Sequence, residues 1–160
     1  MRLGKRSTVV LSGMVALLLG FASESAAQTS AEGVFTFATT WSEEMPLGDG
    51  TTLVRQVNSG HVIADDPDSP LGPAATTCVG SNLMGADGVP ITVNGHCDMV
   101  DGDGDTWTAW FSGNAEGGAW GFMGSTGKFE GIEGRGTFQP GLAWADGRGI
   151  NNWQVEYTMP

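Results

Sequence analysis

Positive charge is scarce in this 160-residue sequence, with only 7 Lys and Arg against 18 Asp and Glu. Three of the seven, Arg2, Lys5 and Arg6, open the chain. Beyond Ala27 only Arg55, Lys128, Arg135 and Arg148 face seventeen acidic residues, a formal charge of 4 − 17 = −13. A nucleic-acid partner needs a basic footprint that replaces phosphate counterions, so none is expected. Anionic membrane surfaces are disfavoured for the same reason, and the acidity serves solubility. Histidine and cysteine are scarcer by count, at two each: His61, His96, Cys78 and Cys97. Two cysteines without histidines at ligand spacing make a poor zinc site. No Gly-x-Ser-x-Gly elbow occurs, and His96 alternates away from Cys97, so nucleophilic catalysis has no support and no catalytic residue is assigned. Gly124-Ser-Thr-Gly-Lys128 invites a phosphate-loop reading, but that spacing demands Gly at 122 and Ser or Thr at 129, and both are Phe. No cofactor is expected.

The first residues read as an export signal. The basic start leads into an apolar stretch, Val9 to Leu19, interrupted only by Ser12 and Gly13. Ser25-Ala26-Ala27 then offers small residues for cleavage between Ala27 and Gln28. The run is shorter than the roughly 20 apolar residues a bilayer span needs, so no stable membrane insertion after cleavage is expected. The reading is a secreted or periplasmic protein whose residues 28–160 form one domain. In an oxidising compartment a Cys78–Cys97 disulfide is the default. Asp87-Gly88 is a two-residue type I′ hairpin signal. A hairpin centred there pairs residues whose numbers sum to 175, and 78 + 97 = 175. Asn94-Gly95 is a competing turn signal within the same stretch.

Helical periodicity is nearly absent after Ala27; short apolar/polar alternation broken by Gly, Asp and Pro recurs instead. Strands are expected over Val34–Ser42 (Phe35, Phe37 and Trp41 on one face), Thr51–Ala64, Thr76–Met84, Val89–Val100, Asp105–Ser112, Ala119–Gly124, Arg135–Ala145 and Arg148–Thr158. Asp65–Ala75, with Pro67, Pro70 and Pro73, reads as a surface loop. Glu43-Glu44 and Asp65-Asp66 are placed in turns. Eight such strands suit an all-β, antiparallel up-and-down barrel, calycin-like, which removes exposed sheet edges. Many glycines would allow its curvature. A β-sandwich is the alternative.

The stretch Gly124-Ser-Thr-Gly-Lys-Phe-Glu-Gly-Ile-Glu-Gly-Arg-Gly-Thr-Phe138 resembles a Gly-rich turn and strand of the allene oxide cyclase and dirigent-like β-barrels. Cys97-Asp-Met-Val-Asp-Gly-Asp-Gly-Asp105-Thr-Trp107 is similar to a Cys, Asp/Gly-turn, Trp pattern in uncharacterised exported bacterial members. The resemblance spans roughly residues 95–158 and implies an eight-stranded barrel with a pocket at one end. It transfers fold and no activity. In such a corner Phe129 and Ile132 would enter the core while Gly127, Gly131 and Gly134 adopt conformations other residues avoid.

Asp101, Asp103 and Asp105 alternate with glycines like the start of a calcium loop. Thr106 stands where that loop needs Gly and Ser112 where it needs Glu, so a solvated hairpin turn is the plainer reading. The six tryptophans are more telling. Alternation sets Trp107 with Phe111, Trp120 with Phe122 and Trp153 with Tyr157, six residues expected to line a ligand site if the lumen is open. Asn151, Asn152 and Gln154 would supply polar contacts. The leading expectation is a non-catalytic barrel binding a small, mainly hydrophobic molecule. The rivals are a cofactor-free cyclase or isomerase acting by orientation, and a structural or partner-binding module with a solid core.

Overall fold

The computed structural model describes residues 27–160; the export-signal segment lies outside the described residues. Eight strands run β1 (Thr29–Pro46), β2 (Thr52–Ala64), β3 (Ala74–Met84), β4 (Pro90–Asp101), β5 (Thr106–Asn114), β6 (Gly117–Ser125), β7 (Glu133–Ala143) and β8 (Arg148–Thr158). Each pairs antiparallel with the next, and β8 returns to β1, closing one barrel. The sandwich alternative is thereby set aside. Strand β1 is longer than alternation alone suggested because it serves two neighbours at an offset. Thr29–Ala38 pair with β8, and Gly33–Pro46 with β2. Glu43 and Glu44, expected in a turn, lie within β1 opposite Arg55 and Val54.

A bulge corrects a second expectation. Thr39 faces Asn58 and Trp41 faces Val57, leaving Thr40 as the extra residue. A bulge shifts the phase of alternation by one, so Trp41 does not share the face of Phe35 and Phe37. Its ring is half exposed on the outside.

Four hairpins share one turn. The loops Gly48-Asp49-Gly50, Ala86-Asp87-Gly88, Gly102-Asp103-Gly104 and Ala145-Asp146-Gly147 are each closed by hydrogen bonds of one pattern, such as Gly85 N–H to Val89 O (2.8 Å) and Gly88 N–H to Gly85 O (2.9 Å). The final Gly has positive φ, from 77° to 91° across the four. This is the three-residue hairpin in which a type I turn is followed by a left-handed Gly. The cysteine hairpin is therefore not a two-residue turn. Its three-residue loop pairs Met84 with Pro90, and a bulge at Ile91 then aligns Leu83 with Thr92. The two one-residue departures cancel, so Cys78 faces Cys97 and the disulfide joins them at a Cα–Cα distance of 3.9 Å. Asn94-Gly95 continues β4.

One end of the barrel is plugged. Between β2 and β3 the proline-rich segment crosses that end and buries Leu71, correcting its reading as surface alone. Between β6 and β7 a single 3-10 turn, Gly127–Phe129, drops Phe129 onto Trp107 with ring centroids 4.6 Å apart. Ile132 and Tyr157 complete the plug. Gly127 and Gly131 do have positive φ (61° and 79°). Gly134 does not. It is required because a Cβ there would meet Glu156 O at 2.3 Å.

Candidate functional site: an open lumen

Above the plug the barrel is hollow. A cavity of about 410 Å³ reaches the opposite end, whose rim is formed by the short hairpins 47–51, 85–89 and 144–147 and the tight β5–β6 turn. That volume falls within the roughly 300–1,000 Å³ range of small-molecule sites. The surface facing it is mostly apolar and includes both disulfide cysteines.

Space for the cavity comes from a repeated cross-strand pairing of glycine with an aromatic residue. Gly33 stands directly opposite Trp153, Gly149 opposite Phe37, Gly95 opposite Phe111, and Gly136 opposite Trp120. At each, a Cβ would lie 2.3–2.9 Å from an atom of that ring. The bare backbone lets the ring lie down along the wall, a cross-strand use of the missing side chain. Laid flat, the rings line the lumen without filling it.

Of the six aromatic residues singled out from the sequence, Trp107, Phe111, Trp120 and Trp153 line this cavity. Trp120 and Trp153 meet edge to face, 6.1 Å between centroids and 85° between planes. Phe122 packs behind Trp120 at 5.4 Å, and Tyr157 lies below in the plug; neither lines the cavity. Burial pushes the Tyr157 phenol pKa up, with the Ser69 hydroxyl opposing the shift and Asp66 adding to it. Asn151 faces the lumen. Asn152 and Gln154 alternate outward, where Gln154 Nε2 donates to Thr137 Oγ1 at 3.0 Å.

Sequence reasoning passed over the lumen's other polar groups. Gln56, Asn58 and Asn82 all line the cavity. In a strand such as Arg55-Gln56-Val57-Asn58 they carry no inward mark, and only the register against β1 and β3 turns them inside. Thr39 Oγ1 donates to Asn58 Oδ1 (2.9 Å). Among the described residues no Asp, Glu, Lys, Arg or His lines the lumen. His61 and His96 belong to the outward-facing positions of β2 and β4, in phase opposite to Asn58 and Cys97.

The aspartates 101, 103 and 105 sit at the plugged end, away from the mouth. Asp101 Oδ1 accepts the backbone N–H of Asp103 (2.9 Å) and Asp105 (3.0 Å), and its other oxygen pairs with the Lys128 ammonium. Asp103 also pairs with Lys128, while Asp105 Oδ2 accepts the Lys128 backbone N–H. The cation nearest these carboxylates is thus the protein's own. Lys128 holds the Asp101 carboxyl below its usual range, and Asp101, then Asp103, hold the Lys128 ammonium above its own. No group of three His, Cys, Asp or Glu residues stands at metal-holding distance among the described residues. Nor is any described helix long and apolar enough to cross a membrane.

No protein-family model matches this sequence, and no curated protein matches it. Solved structures do. The chain is similar to the pterocarpan synthase dirigent protein GePTS1 at a TM-score of 0.51 and 14% identity, over 96% of this chain and 100% of that one. It is similar to the pterocarpan synthase dirigent protein PsPTS1 at 0.55 and 12%, over 83% and 96% of the two chains. At these identities the likeness is one of fold, and it agrees with the motif resemblance across residues 95–158. The chain is thus a closed eight-stranded antiparallel β-barrel whose fold is similar to that of these dirigent proteins.

Proposed function

We propose that this protein is an extracytoplasmic barrel that binds one small, neutral, mainly hydrophobic molecule in its lumen. The observation that carries the reading is an apolar cavity of about 410 Å³, sealed at one end, open at the other and free of titratable side chains. Burial of a ligand there draws on area removed from water, while the amides of Gln56, Asn58, Asn82 and Asn151 fix orientation. The absence of charge on the wall disfavours an ionic ligand, whose desolvation would go unanswered. The disulfide suits an oxidising compartment, and the −13 charge of residues 28–160 suits a soluble secreted or periplasmic role.

A second reading has support of its own, because the two solved structures described above are named as pterocarpan synthase dirigent proteins. A lumen without acid or base leaves orientation as the means of catalysis, folding a reactive substrate into the shape it closes from. The solid core that a purely structural module calls for is not what the lumen offers. Titration of tryptophan fluorescence against a panel of neutral hydrophobic compounds tests the common part of both readings. Quenching or a blue shift is expected, since Trp107, Trp120 and Trp153 line the site. No response to any member would sink it.

A further inference from the structure

We propose that the ligand of this lumen is facially amphipathic: a neutral ring compound with its hydroxyl groups on one face and bare hydrocarbon on the other. The proposal rests on the lumen-binding reading and deepens it. Polar and aromatic residues are not mixed evenly around the wall. Gln56 and Asn58 of β2 and Thr76 and Asn82 of β3 line the cavity, and neither strand contains a Phe, Tyr or Trp. In the closed ring of eight, β6 is four strands from β2 and β7 four from β3, so each stands across the lumen from its counterpart. Those two strands contribute Trp120 and Phe138. Phe111 of β5 meets Phe138 edge to face at 6.5 Å, and Trp153 of β8 meets Trp120 likewise at 6.1 Å, which extends the apolar wall to either side.

The protein leaves its polar wall largely unsatisfied. Among the described residues the buried polar ones are Asn58 and Thr76, 8% and 5% exposed, and both belong to this wall. Burying such groups is costly unless they are hydrogen-bonded. Thr39 Oγ1 donates to Asn58 Oδ1 (2.9 Å), the one hydrogen bond that the Gln56, Asn58 and Asn82 side chains make among the described residues. The Thr76 hydroxyl has only the Cys78 sulfur, at 3.9 Å. An amide both donates and accepts, so the ligand group that fits this wall is one that does both, a hydroxyl. Two other amides reach the cavity. Asn114, at the mouth, gives its oxygen to the Glu116 backbone N–H (2.8 Å), and Asn151 stands in register between Phe35 and Pro140. Neither builds a second polar wall. A hydroxyl turned toward the rings would lose its water partners and find none in return.

The cis and trans isomers of acenaphthene-1,2-diol form a matched pair, the same ring system with both hydroxyls on one face or one on each. The wild-type chain should bind the cis diol roughly five- to tenfold more tightly, the worth of about one neutral hydrogen bond. Gln56→Met combined with Asn82→Leu keeps the bulk of both side chains, removes the amides, and should bring that ratio close to one. In ¹H–¹⁵N spectra of the wild type, the cis diol should move the side-chain amide signals of Gln56, Asn58 and Asn82 more than acenaphthene does. Equal binding of the two diols by the wild type, or a preference for the trans isomer, overturns the facial arrangement and leaves the lumen reading intact. So does a ratio unchanged in the double variant, amide shifts confined to Asn114 and Asn151, or binding of acenaphthene and of neither diol. Failure of all three probes to bind removes the proposal together with the reading it deepens. The wild-type ratio needs no variant to fold.

Discussion

The two ends of this barrel are made by the same eight strands and come to opposite outcomes. At one end Leu71, Trp107, Phe129, Ile132 and Tyr157 are each nearly or fully buried. At the other, the wall stays apolar but encloses space. The difference lies in the connections. The plugged end carries the longer segments 65–73 and 126–132, while the mouth carries only the β5–β6 turn and three hairpins of the Asp-Gly type. A three-residue hairpin reverses the chain and has no residue left to fold inward. A longer loop can cross the barrel end and drop an apolar side chain into it, as Leu71 and Phe129 do. Loop length thus decides which end of a symmetric sheet becomes floor and which becomes entrance.

The largest effect expected from this contrast comes from trimming the floor. Phe129 is 0% exposed, and Phe129→Ala should cost about 3–5 kcal/mol, combining lost transfer energy with a closed cavity. Phe37 is only partly buried and already borders the lumen. Phe37→Ala opens no new closed cavity and should cost only about 1–2 kcal/mol. Urea denaturation of the two variants measures both. Comparable losses would erase the distinction between floor and entrance.

Next in size is a substitution that adds atoms. At Gly149 the three nearest atoms to an added Cβ all belong to the Phe37 ring, at 2.3, 2.8 and 3.0 Å. Gly149→Ala should cost about 1–3 kcal/mol as an overpacked site. It should also push that ring into the lumen and weaken the binding of neutral hydrophobic probes there. Gly124→Ala is the control, since the one atom within 4 Å of an added Cβ there is the Thr108 hydroxyl oxygen, at 3.4 Å. A Gly149→Ala chain with unchanged stability and unchanged titration would show that the ring does not need the missing side chain.

How much of this could be read from the residues follows from what alternation encodes. Period-two patterning located all eight strands, because each alternates or is bounded by Gly, Asp or Pro. The resemblance to a Gly-rich barrel corner, not alternation, placed Phe129 and Ile132 inside, where the apolar side chains of such a turn have few other places to go. Trp41 went to the wrong face because a bulge leaves no mark in side-chain pattern; Thr40 looks like any strand residue. The disulfide register came out correct through a turn one residue too short and a bulge that restored the count. Gln56, Asn58 and Asn82 stayed invisible because a polar residue facing a cavity and one facing solvent look alike until the sheet closes. The glycines suggested curvature, yet at Gly33, Gly95, Gly136 and Gly149 what matters is the ring directly opposite. That pairing is a property of register, which a single strand does not contain.

The smallest effect concerns how the plugged end is tied down. The Asp-Gly turn recurs at both ends, but its surroundings differ. At the mouth Asp49 and Asp146 bond only within their own hairpins, to Thr51 and Arg148. At the floor Lys128, from the β6–β7 segment, pairs with both Asp101 and Asp103, joining two loops across the barrel end. Lys128 depresses the Asp101 carboxyl from its ordinary value of 3.8, so that stabilisation is present above 3.8 and lost as pH falls through the lower folded value. The raised Lys128 ammonium gives stability that is present below 10.5 and lost as pH rises beyond it. Lys128→Ala should therefore lower the melting temperature modestly at neutral pH, as expected for a solvent-screened pair. The gap from wild type should narrow on both the acid and the alkaline flank, and shrink in high salt. Asp146→Ala at the mouth removes a tie within one hairpin and should lower the melting temperature less. If the two variants behave alike at every pH, the cross-loop pairing adds nothing to the floor beyond what the turn itself provides.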